Sequence, residues 1–490
     1  MNKRLQSVNK FIVAFFLAFL FFECTAPSVF FEDALCIENI STIDPVVGLK
    51  EHQTLIIKDG KILRIASTSD LKLSKKNTIQ DGAGKYLMPG LWDAHIHFGY
   101  IEALAPSMFD LFIAYGITSV RDTGGRLEFV KYWKDLALAN PTDAPRVMIA
   151  GPLLDGMPNV YDGSDAEHPP LSVGLPTVYD VSKQVSMLDS AGVDFLKAYE
   201  MLTPEQFAVI TKYANENKLK VSGHVPLSMD VISASNGGLN SMEHLRNLEL
   251  SCATNSKELL AQRLQLLNDG RKDPGGKLRS SIHQAQRQTA IENYDEQKAN
   301  EILNVFAKNQ TWQIPTLTLY TVFITKPFMQ DQWQKSFTYL PDSISQVWNA
   351  SIEKVMNSEV PTFSRQYSKW MSAMVGKINR AGIGIMAGTD TPIGYLTPGL
   401  SLHEELELLV SSGLTPLEAI ETATLNPARY FNLENEVGSI KETMWADLLI
   451  LDANPLESIG NTKRINAVIK QGKMYDRAKL DQVLGRLAQK

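Results

Sequence analysis

Apolar and polar positions change their rhythm twice along the chain. Residues 34–88 read as short strands. Residues 34–40 are apolar and β-prone, 54–58 alternate, and Asp59-Gly60 makes a hairpin turn into 61–65. A second turn falls at 81–85. From Gly90 onward, strands alternate with helical segments, the signature of βα units and a parallel sheet. Eight strand candidates follow: 91–97, Ile117–Asp122, 146–150, 195–199, 220–224, 241–244, 313–319 and 384–390. Helical periodicity fills most of the gaps, as at 204–217 and 229–236, and predicts a closed (β/α)₈ barrel. Two stretches do not fit the alternation. Residues 245–312 are polar, charged and helix-prone (256–267 and 280–308) around a loop at 269–276. Residues 321–366 carry Phe323, Phe328, Trp333, Phe337, Tyr339 and Trp348, which are expected to pack inserted helices more than to line a pocket. After two more helices, at 403–411 and 415–424, the pattern returns to strands at 446–452 and Ile465–Lys470. The β-rich ends are expected to pair into one small composite sandwich. The resulting division is 1–26, 27–88 (sandwich, first part), 89–435 (barrel with insertions at 246–312 and 321–366) and 436–490 (sandwich, second part, with a C-terminal helix).

Residues 1–26 stand apart. Lys3, Arg4 and Lys10 precede an apolar run over 11–22, a positive region followed by a hydrophobic one too short to span a bilayer comfortably. This predicts export, with a cleaved signal peptide or a retained membrane anchor as the two outcomes. Cys24 is preceded by Phe21, Phe22 and Glu23, a poor lipoprotein site. The chain has three cysteines, Cys24, Cys36 and Cys252, without metal spacing. In an exported protein Cys36 and Cys252 are able to pair, though nothing requires it. The net charge of −6, with no basic stripe, argues against a nucleic-acid partner.

The chemistry-bearing residues sit where a barrel would put them, at the ends of its strands. His95 and His97 share one face of the first strand candidate. Such a pair is able to grip a divalent metal or to be no more than two packed histidines. Lys197 lies in the fourth candidate, His224 and His244 end the fifth and sixth, and Asp390 ends the eighth. A buried lysine without a partner is costly, and ligating groups cluster at functional sites. The set therefore points to function.

The ordered motifs resemble the amidohydrolase superfamily, metal-dependent hydrolases on a (β/α)₈ barrel. They are Ile57-Lys58-Asp59-Gly60-Lys61-Ile62, Met88-Pro89-Gly90-Leu91-Trp92-Asp93-Ala94-His95-Ile96-His97, Gly192-Val193-Asp194-Phe195-Leu196-Lys197, Ser222-Gly223-His224, Met242-Glu243-His244, Ala387-Gly388-Thr389-Asp390, Asn426-Pro427-Ala428 and Ala446-Asp447-Leu448. The resemblance implies two divalent metal ions, with zinc suiting the ligands. His95, His97 and Asp390 would hold the first, His224 and His244 the second, and an N-carboxylated Lys197 would bridge them. Asp390 would also be the general acid and base for a water whose pKa the ions lower.

Within the superfamily the motifs, with Pro315-Thr316-Leu317, look most like the imidazolonepropionase-related and Xaa-Pro or other dipeptidase branch. That implies hydrolysis of an amide beside a free carboxylate, in a dipeptide or N-acyl amino acid. A carboxylate needs a clamp, for which Arg121, Tyr199, His168 and Tyr320 are the candidates. Dipeptidases of this branch carry Ser-Gly-Gly soon after the lysine, whereas Glu200-Met201-Leu202-Thr203 stands here. A cyclic-amide hydrolase, a metal-dependent esterase or lactonase, and a non-catalytic assembly protein are the alternatives. Oligomeric state stays open, a homo-oligomer included.

Overall fold

The structure is a computed structural model that describes residues 31–356 and 358–489. The expected N-terminal export segment and Cys24 lie outside the described residues. The first and last parts of the chain share one mixed sheet, ordered Lys473–Asp476, Ile465–Lys470, Leu448–Leu451, Tyr86–Pro89, Leu35–Asp44, Gly48–Lys58, Lys61–Ser67, with Thr78–Asp81 also on Leu35–Asp44. The two ends meet where Leu87 pairs antiparallel with Ile450. The hydrogen-bonded ladder is continuous from one end of this order to the other. The cause is Leu35–Asp44, which takes one antiparallel neighbour on one side and two parallel ones on the other, with register shifts between Ile37 and Thr42. Its buried face carries Ile37, Ile40, Leu55, Ile57, Leu87, Leu448, Ile450 and Ile469, so the pairing of the ends is held by apolar burial from both.

Two parallel runs follow. Leu91–Ile96, Ile117–Asp122 and Arg146–Ile149 form one. Ser172–Gly174, Leu153–Asp155, Phe195–Ala198, Lys220–Gly223, Ser241–Glu243 and Trp312–Ile314 form the other. Asp194 N–H donates to Ile149 O at 2.8 Å between the runs. At the far side, residues 384–391 bridge Gln313 through Ile385 and Ile96 through Thr391, both in parallel sense. Six of the eight expected strands thus occur within one residue of their predicted ends, apart from two short strands at 153–155 and 172–174 that the pattern did not announce.

The other two expectations need correction. The segment 384–390 is not a regular strand. It still exchanges backbone bonds with both flanking segments, as Ala94 N–H to Ala387 O and Met386 N–H to Gln313 O, but Gly388 lies against His95, and Asp93 takes the Thr389 N–H at 3.1 Å and its hydroxyl at 2.7 Å, so side-chain bonds are added to an irregular ladder. The seventh strand stops at Ile314, and 317–325 is helical although β-prone in composition. Pro315 has no N–H to continue a ladder. Glu405, wholly buried, accepts the N–H groups of Leu317 and Thr318 at 2.9 and 2.7 Å, which satisfies the orphan donors of a helix start and suits its dipole.

The first insertion folds as Ser256–Asp269, Gly275–Glu292 and Glu296–Asn309, and the second as Asp331–Phe337 and Asp342–Met356 leading into Thr362–Arg380. Phe328, Trp333, Phe337, Tyr339 and Trp348 are buried in the core and only Phe323 of that set is exposed, so these aromatics pack helices. Cys36 and Cys252 are buried free thiols.

Gly223 shows how little room the parallel sheet leaves. A Cβ there would stand 2.2 Å from Ala198 O. Gly223→Ala should lower stability by about 1–3 kcal/mol through overpacking, read as an earlier urea midpoint.

Candidate functional site

Four imidazoles meet at one end of the parallel strands, each held by the same device. His95 Nδ1 lies 2.6 Å from Glu243 Oε2, His97 Nδ1 2.9 Å from Gly124 O, and His224 Nδ1 2.7 Å from Glu200 Oε1. His244 Nδ1 lies 2.6 Å from the Thr316 hydroxyl, which itself donates to Pro315 O at 2.8 Å and so accepts from the ring. Carboxylates and carbonyls only accept, so each Nδ1 carries a proton and Nε2 is the atom each ring turns toward the others. Burial pushes His224 down to about 3 and His244 well below the usual histidine range, which keeps both rings neutral. The ring centroids lie 4.6 Å apart for His95 and His244 and 4.9 Å for His224 and His244.

Asp390 faces these nitrogens. Its carboxylate is 3.2 Å from His95 Nε2, 3.1 Å from His97 Nε2 and 3.7 Å from His244 Nε2. Lone pairs and a carboxylate crowded together in a dry interior repel unless a cation lies among them. One ligand atom each from His95, His244 and Asp390 falls within a 4.8 Å circle, so the residues fit a divalent ion. His244 and Asp390 both sit at positive φ, 59° and 67°, a strained conformation that concentrates at functional sites. Lys197, 1% exposed, points its Nζ into the same space without a hydrogen bond. Its closest carboxylate oxygen, Glu243 Oε1, is 3.8 Å away. Burial pulls the Lys197 amine down to about 8.

Glu243 and Glu200 are the supports that sequence reasoning missed. Glu243 binds His95, Arg121 and the Ser222 hydroxyl. It stood inside the Met242-Glu243-His244 motif, between two residues that drew attention for other reasons. Glu200 bonds His224 through one oxygen and His283 Nε2 through the other, the latter at 2.6 Å. Burial pushes Glu200 up, but His283 and Arg246 outweigh it and hold it well below the usual carboxylate range. His283 comes from Gly275–Glu292, whose Arg279, His283 and Arg287 fall at helical spacing on one face. That stripe was the available signal.

Residues 333–475 match the Amidohydrolase family. Ochratoxinase of Aspergillus niger is 23% identical over 480 residues, covering 86% of this chain and 83% of the relative. The chain is thus similar to amidohydrolases, through a family match in its C-terminal part and a low-identity likeness over most of its length. Among solved structures, a Xaa-Pro dipeptidase with bound methionine superposes with a TM-score of 0.64 at 18% identity, covering 91% of this chain and all of the other. A. niger ochratoxinase superposes with a TM-score of 0.61 at 20% identity, covering 91% and 96%.

The four candidate substrate contacts separate. Tyr199 lines the cavity, its ring 4.3 Å from that of His224 and its hydroxyl 3.1 Å from Arg279 Nη1. Tyr320 lies against His244 at 6.3 Å between centroids. His168 is tied to Asp165 at 3.0 Å and is not among the cavity-lining residues. Arg121 is wholly buried among the strands, bonded to Ala94 O and, at 2.8 Å, to Glu243. A clamp must reach the cavity, and Arg121 points beneath it. The guanidinium that lines the cavity is that of Arg246. The cavity holds about 30 Å³ and is walled by Tyr161, Tyr199, Arg246 and Ile393. A larger hollow of about 640 Å³ lies at the starts of the strands around Lys220 and Trp312, away from the converging histidines.

Arg121→Met should therefore act on folding. Leaving Glu243 buried without its cation costs about 3–5 kcal/mol, measurable by urea denaturation. A clamp would instead leave stability unchanged and raise KM.

Proposed function

We propose that this protein is a metal-dependent hydrolase of a carbon–nitrogen bond in a small substrate, a dipeptide or an N-acyl amino acid. The observation that carries the reading is the convergence of four imidazoles, each pinned through Nδ1, on Asp390 and on a buried Lys197 whose Nζ makes no hydrogen bond. Pinning of the second nitrogen is how metal-ligating histidines are oriented. The parallel strands are read as a closed (β/α)₈ barrel with the site at its C-terminal mouth. The relatives support the reaction class, since ochratoxinase and Xaa-Pro dipeptidase are names of amide-cleaving enzymes. Export is proposed on the N-terminal pattern alone.

His95, His97 and Asp390 would hold one divalent ion and His224 and His244 another, zinc being suited to such donors. When bound, the ions would supply Lewis-acid polarisation of the substrate carbonyl and a lowered pKa for water. Lys197 would reach both as a carbamate. Its neutral amine adds to carbon dioxide, forming the N–C bond and releasing one proton. Burial favours the neutral amine that this addition requires. Asp390 would take the proton of the attacking water and return it to the leaving nitrogen. Tyr161 and Ile393 wall a cavity of about 30 Å³, roughly one water's share of liquid.

Asp390→Asn should stay folded and keep much of its metal while hydrolysis falls by about 10²–10⁴; near wild-type turnover would refute the base role. Lys197→Ala should lose a metal equivalent by elemental analysis, with partial return of activity on adding small carboxylates. Unchanged metal content would show that Lys197 is no bridge. A panel of dipeptides, N-acyl amino acids, cyclic amides and esters should give turnover with the first two; esters or lactones alone would move the reading to an esterase.

A further inference from the structure

Four polar atoms without partners gather beside His244. Arg246 Nε, Arg287 Nη2 and the hydroxyls of Tyr320 and Tyr367 are all buried and make no hydrogen bond. They are neighbours. The Tyr320 and Tyr367 rings are 5.6 Å apart, and Tyr320 is 6.3 Å from the His244 ring. The Arg246 guanidinium lies 5.9 Å from the Tyr320 ring and that of Arg287 5.0 Å from the Tyr367 ring. Tyr367 is 5% exposed. Arg246 follows His244 by two residues, whereas the other three come from separate helices, Gly275–Glu292, Leu317–Thr325 and Thr362–Arg380. Chain segments far apart in sequence thus bring unmatched polar groups to one place.

The surrounding charge does not balance. Arg246, Arg263, Arg279 and Arg287 are opposed by Glu200 and Glu249. Both Glu200 oxygens are already engaged by His224 and His283, and its approach to Arg246 is only 3.8 Å. Glu249 holds Arg287 through Nε at 3.2 Å, leaving Arg287 Nη2 unmatched. Buried donors and cations are normally paired, and a cluster that is not calls for an anion. Guanidinium forks match the planar pair of oxygens of a carboxylate, and each tyrosine adds one O–H.

We propose that Arg246, Arg287, Tyr320 and Tyr367 form a carboxylate-binding subsite for the substrate, completed by the inserted helices. This rests on the hydrolase reading, because it places the bound acid next to His244 and the scissile bond over the histidine cluster. It gives the insertions a role in specificity: an acid is held and its neutral amide is not.

The test uses metal-loaded protein and isothermal titration with acetate and benzoate against acetamide and benzamide. Wild type should bind the acids and not the amides. Tyr367→Phe removes a hydroxyl that has no protein partner, so its melting temperature should stay the same while acid affinity falls about tenfold. Arg287→Met should lower affinity about a hundredfold, with Arg64→Met, a surface change, unaltered. If wild type binds no acid, binds the amides equally, or prefers inorganic phosphate, the subsite is overturned. Acid binding that survives in Tyr367→Phe overturns it too, since the acid is then held elsewhere, and this variant decides the matter if Arg287→Met does not fold. Metal content is measured separately. Wild type that takes up no metal yet binds acids in a Tyr367-dependent way would refute the hydrolase and leave the subsite standing.

Discussion

A neutral imidazole offers its lone pair to a cation only if its other nitrogen has somewhere to give its proton. That constraint governs the interior of this protein. Four acceptors are placed for the purpose, and each requires its own support. Glu243 holds His95 and is in turn neutralised by Arg121, from the strand paired with that of His95. Glu200 holds His224 and is in turn held by His283 from an inserted helix. The backbone serves His97 through Gly124, and a hydroxyl committed to a carbonyl serves His244. Buried carboxylates are costly unless paired, so every support draws further polar groups inward. The buried polar shell around the histidines is the consequence.

The outer elements serve the same centre. The strand Leu91–Ile96, whose end carries His95, continues from a sheet strand, Tyr86–Pro89, that is paired with Leu448–Leu451 from the other end of the chain. The helices of the insertions do more than cover the mouth. Gly275–Glu292 reaches Tyr199, Glu200 and Glu249 with one face, so a segment outside the βα alternation helps to orient residues at the strand ends.

Much of this was legible in the chain. Alternation located strands such as Ile117–Asp122 and Ile465–Lys470, because a half-buried strand must repeat every two residues. The histidines were legible because several reactive side chains at successive strand ends are hard to attribute to packing. Residues 384–390 and 315–319 were misread because local pattern does not register Asp93 or Glu405, whose carboxylates come from elsewhere in the chain to bond an irregular segment or cap a helix. Arg121 looked like a clamp because its position near a strand end says nothing about how far inward its side chain turns.

The sequence by itself determined the order of elements, the joining of the two β-rich ends, and the set of His95, His97, Lys197, His224, His244 and Asp390. Those depend on periodicity and residue type, which a linear chain displays. The tertiary structure alone decided which groups are paired. Glu243 with Arg121, Glu200 with His283, and the unmatched Arg246, Arg287, Tyr320 and Tyr367 are facts about separations across space. A buried polar group is defined by what faces it, and its partners here lie tens to hundreds of residues away.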